Sequence, residues 1–169
     1  MKTLFRYCLV IIFLTIAYGG LFTENASATL RQHQDAPGIL RYHSQVSIKD
    51  KLGYSWQVLL FRKNKPGETE KINLRLVGFP GIYNFSHPQD LEILTSRGKL
   101  LTADDIYAKI SPAANVGEYN FTNLVTELLP TPGNQSIELI LPLQDQQTIT
   151  LDISSNLLTE WQWLINDFN

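Results

Sequence analysis

Tyr54-Ser55-Trp56-Gln57-Val58-Leu59-Leu60-Phe61-Arg62-Lys63, then Asn64-Lys65-Pro66-Gly67, then Lys71-Ile72-Asn73-Leu74-Arg75-Leu76, is the stretch that decides the fold. Side chains on an extended strand point alternately to its two faces, so Tyr54, Trp56, Val58 and Leu60 share one face while Leu59 and Phe61 lie on the other. A segment apolar on both faces belongs in the middle of a sheet. Asn64 to Gly67 are turn formers, since Pro presets φ and Gly tolerates a positive one. Beyond the turn, Ile72, Leu74 and Leu76 alternate with Lys71, Asn73 and Arg75, an apolar-in, polar-out strand. Together these segments make an antiparallel hairpin.

The same period spreads outward in both directions. Upstream, Ser44, Val46 and Ile48 face one way and Gln45, Ser47 and Lys49 the other. Downstream, Leu91 to Thr95 and Lys99 to Thr102 flank the tight turn Ser96-Arg97-Gly98. A further pair, Ile137-Leu139-Leu141-Leu143 and Ile149-Leu151-Ile153, is joined by the polar Gln144 to Gln147. Helical spacing occurs three times. Asp104 to Ile110 is a short candidate stopped by Pro112, and Phe121, Leu124, Val125 and Leu128 follow an Asn120 cap. Leu157, Leu158, Trp161, Leu164, Ile165 and Phe168 form one apolar stripe behind Ser155 or Asn156 as cap. The pattern predicts an α+β domain, a single antiparallel sheet of about six strands packed against the C-terminal helix and one or two short helices.

The N-terminus carries a targeting pattern. Lys2 and Arg6 precede an apolar run from Cys8 to Phe22, and Ala26-Ser27-Ala28 follows it. The run is shorter than the roughly 20 residues needed to span a bilayer, and small residues at positions 26 and 28 suit a signal peptidase, so residues 1–28 read as a signal peptide cleaved between Ala28 and Thr29. No integral span is expected after processing. Residues 29–38 are polar and without period, a mobile lead-in to one domain spanning 39–169. Of 14 Lys and Arg and 16 Asp and Glu, the leader takes Lys2, Arg6 and Glu24, leaving 12 against 15, a net of −3. That balance argues against nucleic acid as a partner. Cys8 is the sole cysteine, so thiol catalysis and cysteine-ligated zinc are excluded for the processed chain.

Little in the rest announces chemistry. His33, His43 and His87 lack the spacing of a metal site, and no partner for His43 or His87 is visible in the sequence. Asp104-Asp105 suits the first turn of a helix, where the dipole favours acids. Nucleophile elbows, phosphate loops and dinucleotide fingerprints do not occur. No catalytic residue, cofactor or metal is therefore assigned. The basic run Arg62-Lys63-Asn64-Lys65 falls at a hairpin tip. More informative is the loop Phe79-Pro80-Gly81-Ile82-Tyr83, where Pro80-Gly81 fits the centre of a type II turn. Its aromatics either fold back over the open end of the core or form an exposed contact loop for a partner.

Trp56-Gln57-Val58-Leu59-Leu60-Phe61, Leu74-Arg75-Leu76-Val77-Gly78-Phe79-Pro80-Gly81, Val116-Gly117-Glu118-Tyr119 and Glu160-Trp161-Gln162 resemble an uncharacterised family of small exported cyanobacterial proteins, the domain-of-unknown-function family numbered thirty-one twenty-two. The resemblance implies a periplasm or thylakoid lumen and brings no catalytic residues. Its setting implies an accessory role near the photosynthetic membrane. The resulting expectation is an exported, non-catalytic binding or assembly protein with a protein partner, itself membrane-associated in that setting. The alternative is a small-ligand carrier or weak hydrolase with a pocket between sheet and helix, lined by Trp56, Trp161 and Trp163.

Overall fold

The computed structural model describes residues 29–36, 39–64, 70–107, 113–128, 135–146 and 148–166. The expected signal peptide, most of the Asn64 to Gly67 turn and Phe168 lie outside the described residues. In chain order the elements are β1 (Thr29–Ala36), β2 (Ile39–Lys49), β3 (Ser55–Asn64), β4 (Lys71–Val77), β5 (Leu91–Thr95), β6 (Leu100–Ala103) and β7 (Val116–Asn120). The short helix α1 (Val125–Leu128) follows, then β8 (Ile137–Pro142), β9 (Thr148–Ile153) and the C-terminal helix α2 (Ser155–Asn166).

The strands form two antiparallel sheets, a five-stranded one ordered β1-β2-β3-β4-β7 and a four-stranded one ordered β6-β5-β8-β9, which corrects the expected single sheet. Length explains the division. The 12 residues of α2 span about 18 Å, whereas nine strands side by side would span about 40 Å, so one helix would leave much apolar sheet in water. Two sheets stacked on their apolar faces cover each other. Val46, Val58, Leu60, Leu74 and Leu76 of the first sheet, Leu91, Ile93, Leu139, Leu151 and Ile153 of the second, and Leu157, Trp161 and Leu164 of α2 accordingly belong to one core. β3 sits third of five, the central place its two apolar faces required.

Two strands carry no apolar alternation and were not legible. Thr29–Ala36, expected as a mobile lead-in, pairs along β2 from Thr29 opposite Gln45 to Ala36 opposite Ile39. An edge strand is held by backbone bonds and can be polar throughout. In β7 the pattern is broken by Gly117, where a Cβ would come within 2.7 Å of the Tyr119 hydroxyl and 3.0 Å of Phe85. Only a residue without a side chain admits those rings.

The sheets are also stitched by backbone. Residues 104–106 run along the outer edge of β7, with Ile106 N–H donating to the Glu118 carbonyl (2.9 Å) and Asn120 N–H to that of Asp104 (3.0 Å). Asp104 to Ile106, expected in the first turn of a helix running to Ile110, are thus extended chain, because the free edge of β7 offers those groups partners; residues 108–112 lie outside the described set. Around Phe85, Ser86 N–H donates to the Pro142 carbonyl and Gln144 N–H to that of Asn84.

Helix α2 buries Leu157, Leu158, Trp161 and Leu164 against β2 and β3, with Trp161 edge-on to Phe121 at 6.3 Å. Its cap is Ser154, one residue before the expected Ser155, whose Oγ accepts from Leu157 N–H at 3.4 Å. Arg62, expected at a wet basic tip, is 2% exposed. It continues the inward row of Trp56, Val58 and Leu60, donates from Nη1 to the Ile165 carbonyl at 2.8 Å, and pairs with Glu70. The last carbonyls of a helix lack internal donors, and a buried guanidinium supplies one here.

Candidate functional site

Three connections meet at one end of the five-stranded sheet: the β2–β3 hairpin loop at 50–54, the exit of β4 at 78–84, and the turn at 113–115 before β7. Asp50 organises the first. Its Oδ1 accepts from the Leu52 amide (2.9 Å) and the Tyr54 amide (3.0 Å), and its Oδ2 from the Trp56 indole (3.0 Å). Burial alone would raise the Asp50 pKa; the Trp56 indole, the Tyr54 and Leu52 amides and the nearby Tyr83 hydroxyl outweigh it and hold the carboxyl below its ordinary 3.8. Gly53 closes the loop at φ +89.

The second loop turns on Phe79-Pro80-Gly81-Ile82, where Ile82 N–H donates to the Phe79 carbonyl at 3.2 Å and Gly81 has φ +80, the type II turn expected from Pro-Gly. Tyr83 then drops into the core, stacked on Trp56 at 5.1 Å and edge-on to Tyr54 at 5.7 Å. Burial, followed by the charge of Asp50, raises its hydroxyl above the usual 10.0. Gly78 lets the chain pass over Trp56, for a Cβ there would lie 2.8 Å from the indole ring. Asn115 ties in the third connection, its Nδ2 donating to the Gly78 carbonyl and its own carbonyl accepting from Gly78 N–H, both at 2.9 Å.

The outcome is an exposed apolar tip on a rigid base. Leu52 is 71% exposed, Phe79 57%, Ile82 43% and Tyr54 40%. Within the three connections the charged residues are Asp50, which is buried, and Lys51, which is exposed; Lys49 is exposed at the base of the hairpin. The loop from Phe79 to Tyr83 therefore satisfies both sequence readings in different residues. Phe79, Pro80, Gly81 and Ile82 face solvent, while Tyr83, expected in the contact surface, is core at 5% exposure. Leu52 was not singled out from the sequence, and Tyr54 was placed with the inward row. An apolar residue inside the turn Lys51-Leu52-Gly53 was the available signal.

The chain from β1 to α2 can be placed by comparison. A family model described as a protein of unknown function, DUF3122, matches residues 28–164. The chain belongs to the DUF3122 family. The DUF3122 match takes in all three connections of the tip. No curated protein and no solved structure matches the chain significantly.

Elsewhere in this DUF3122 chain two polar clusters, around His87 and around Glu118, are tied together by hydrogen bonds. His87 bridges Asp105 Oδ2 (2.6 Å from Nδ1) and the Val116 carbonyl (3.0 Å from Nε2), so the ring nitrogen a general base would use faces a main-chain acceptor. Asp105 Oδ1 also accepts from the Tyr107 amide, two residues on, at 3.0 Å, the kind of bond a helix-capping acid makes. Glu118, 2% exposed, accepts from Asn73 and twice from Arg75, whose guanidinium lies over the Phe61 ring. Among the described residues no group of three His, Cys, Asp or Glu is placed to hold a metal, and no helix is long and apolar enough to cross a membrane. Ala28 lies outside the described residues, and Thr29 opens β1. Trp56 and Trp161 are buried while Trp163 is 59% exposed, so the three tryptophans do not line one cavity between sheet and helix. An open groove of about 530 Å³ lies instead beside β5 and β8, lined by Asp90, Glu92, Ile140, Pro142, Asp145 and Thr148 among others.

Proposed function

We propose that this chain is an exported, non-catalytic binding or assembly protein whose contact surface is the tip formed by Leu52, Tyr54, Phe79 and Ile82. One observation carries the reading: four large apolar side chains stand in water on two loops whose bases are fixed by Asp50, Trp56 and Tyr83. Such residues cost solvation where they stand, and a preformed turn lowers the ordering cost of docking. A photo-crosslinking side chain in place of Phe79, installed in the host cell, is expected to yield adducts that the same group in place of the exposed Glu138 does not. Equal labelling from both positions, or none from position 79, would contradict the reading. Export rests on the apolar N-terminal run and Ala26-Ser27-Ala28. N-terminal sequencing of the protein from its host is expected to begin at or next to Thr29, and recovery of intact Met1 from a membrane fraction would contradict it.

A further inference from the structure

The chemistry of the tip is uneven in a way that bears on what it meets. Its apolar side chains include two aromatics, Tyr54 with a hydroxyl and Phe79 without, and its exposed charge is cationic, from Lys51 and Lys49. The rest of the chain has the opposite sign. Net charge over residues 29–169 is −3, and the second sheet carries exposed Glu92, Glu138 and Asp152, with Glu138 directly opposite Asp152 across β8 and β9. An acidic protein whose exposed charge at its apolar end comes from two lysines presents that end to a negative surface.

We infer that the tip docks on the surface of an anionic lipid bilayer, with Leu52, Phe79 and Ile82 entering the acyl boundary, Tyr54 at headgroup depth, and Lys49 and Lys51 against the phosphates. Aromatic rings of mixed character partition to that depth, and lysine stems lie along apolar surface while their ammonium groups stay in water. Two loop crowns give a shallow insertion that leaves backbone hydrogen bonds intact, because the amides of Leu52, Gly53 and Tyr54 are already bonded to Asp50 and that of Ile82 to the Phe79 carbonyl. At this end of the molecule the exposed apolar side chains of Leu52, Phe79 and Ile82 sit on the loop crowns, beyond the strands beneath them. This inference rests on the tip being the contact surface and adds the identity of what it contacts.

The test uses the processed chain, which lacks Cys8 and so takes a thiol-directed fluorophore only where a cysteine is introduced. An environment-sensitive dye is placed through Leu52→Cys or, for comparison, Glu138→Cys. Vesicles of phosphatidylglycerol mixed with phosphatidylcholine are expected to shift the emission at position 52 to the blue and leave that at position 138 unchanged. Lys49→Gln with Lys51→Gln is expected to weaken binding about 30-fold, about 5-fold for each lysine near a charged surface, and added salt to weaken it further. No shift at position 52, equal shifts at both positions, or equal binding to phosphatidylcholine alone would overturn the inference. If it is overturned while crosslinking from position 79 gives a protein adduct, the tip is a protein contact and the proposed function stands; if no adduct forms, both fall.

Discussion

At the scale of single residues, the tip depends on groups that are not themselves part of its surface. Asp50 holds the β2–β3 loop through three hydrogen bonds, and an Asn in its place would turn an amide donor toward the Trp56 indole or an amide N–H. Asp50→Asn is therefore expected to lower stability at neutral pH by about 1 to 3 kcal/mol, measured by urea unfolding. The pH dependence has a definite sign. With the folded pKa depressed, the contribution is fully present above 3.8, the ordinary value, and is lost as pH falls through the lower folded value. The gap between parent and variant should close in acid; a gap that widens below 3.8 would contradict this. Gly78→Ala would place a methyl 2.8 Å from the Trp56 ring, an overpacking that costs typically about 1 to 3 kcal/mol. His87 teaches the limit of sequence reading at this scale. Its partners are 18 and 29 residues away in sequence, an acid and a main-chain carbonyl brought in by the seam beside β7. His87→Ala is expected to destabilise by about 1 to 3 kcal/mol through the partner left buried, where the sequence showed no partner.

At the scale of elements, apolar periodicity located β2 to β6, β8 and β9, and it located α2. Those elements were legible because a buried face must alternate in a strand or recur at helical spacing. The strands it missed are held otherwise. β1 is bound through its backbone to β2, and β7 pairs at Gly117, where a close approach forbids a side chain. The division into two sheets was equally hidden, since periodicity shows which face is buried and not what covers it. Helix α2 supplies the direct check on packing. Trp161 is 1% exposed and edge-on to Phe121, so Trp161→Ala is expected to cost about 3 to 5 kcal/mol. An unchanged denaturation midpoint would place the stripe outside the core. Trp163→Ala, two residues on but in water, should change stability by no more than about 0.5 kcal/mol.

At the scale of the whole molecule, the two sheets and α2 share one core, and among the described residues four of the six exposed large apolar side chains, Leu52, Tyr54, Phe79 and Ile82, gather at one end. The turn Pro80-Gly81 was readable because its geometry is written in two adjacent residues. That Leu52 and Tyr54 join it was not, because their meeting depends on the pairing of β2, β3 and β4, which no local pattern specifies. Rigid base and exposed crown are separable by substitution, and this is the central claim. The most direct measurement compares Phe79→Ser with Ile82→Ser, made together, against Tyr83→Ser, each followed by urea unfolding and by capture at the tip. The crown variant is expected to shift stability by no more than about 1 kcal/mol and to lose its contacts, whereas Tyr83→Ser, which removes a ring stacked on Trp56 at 5 % exposure, is expected to cost about 3 to 5 kcal/mol. A crown variant that unfolds, or one that stays folded and keeps every contact, would contradict the account.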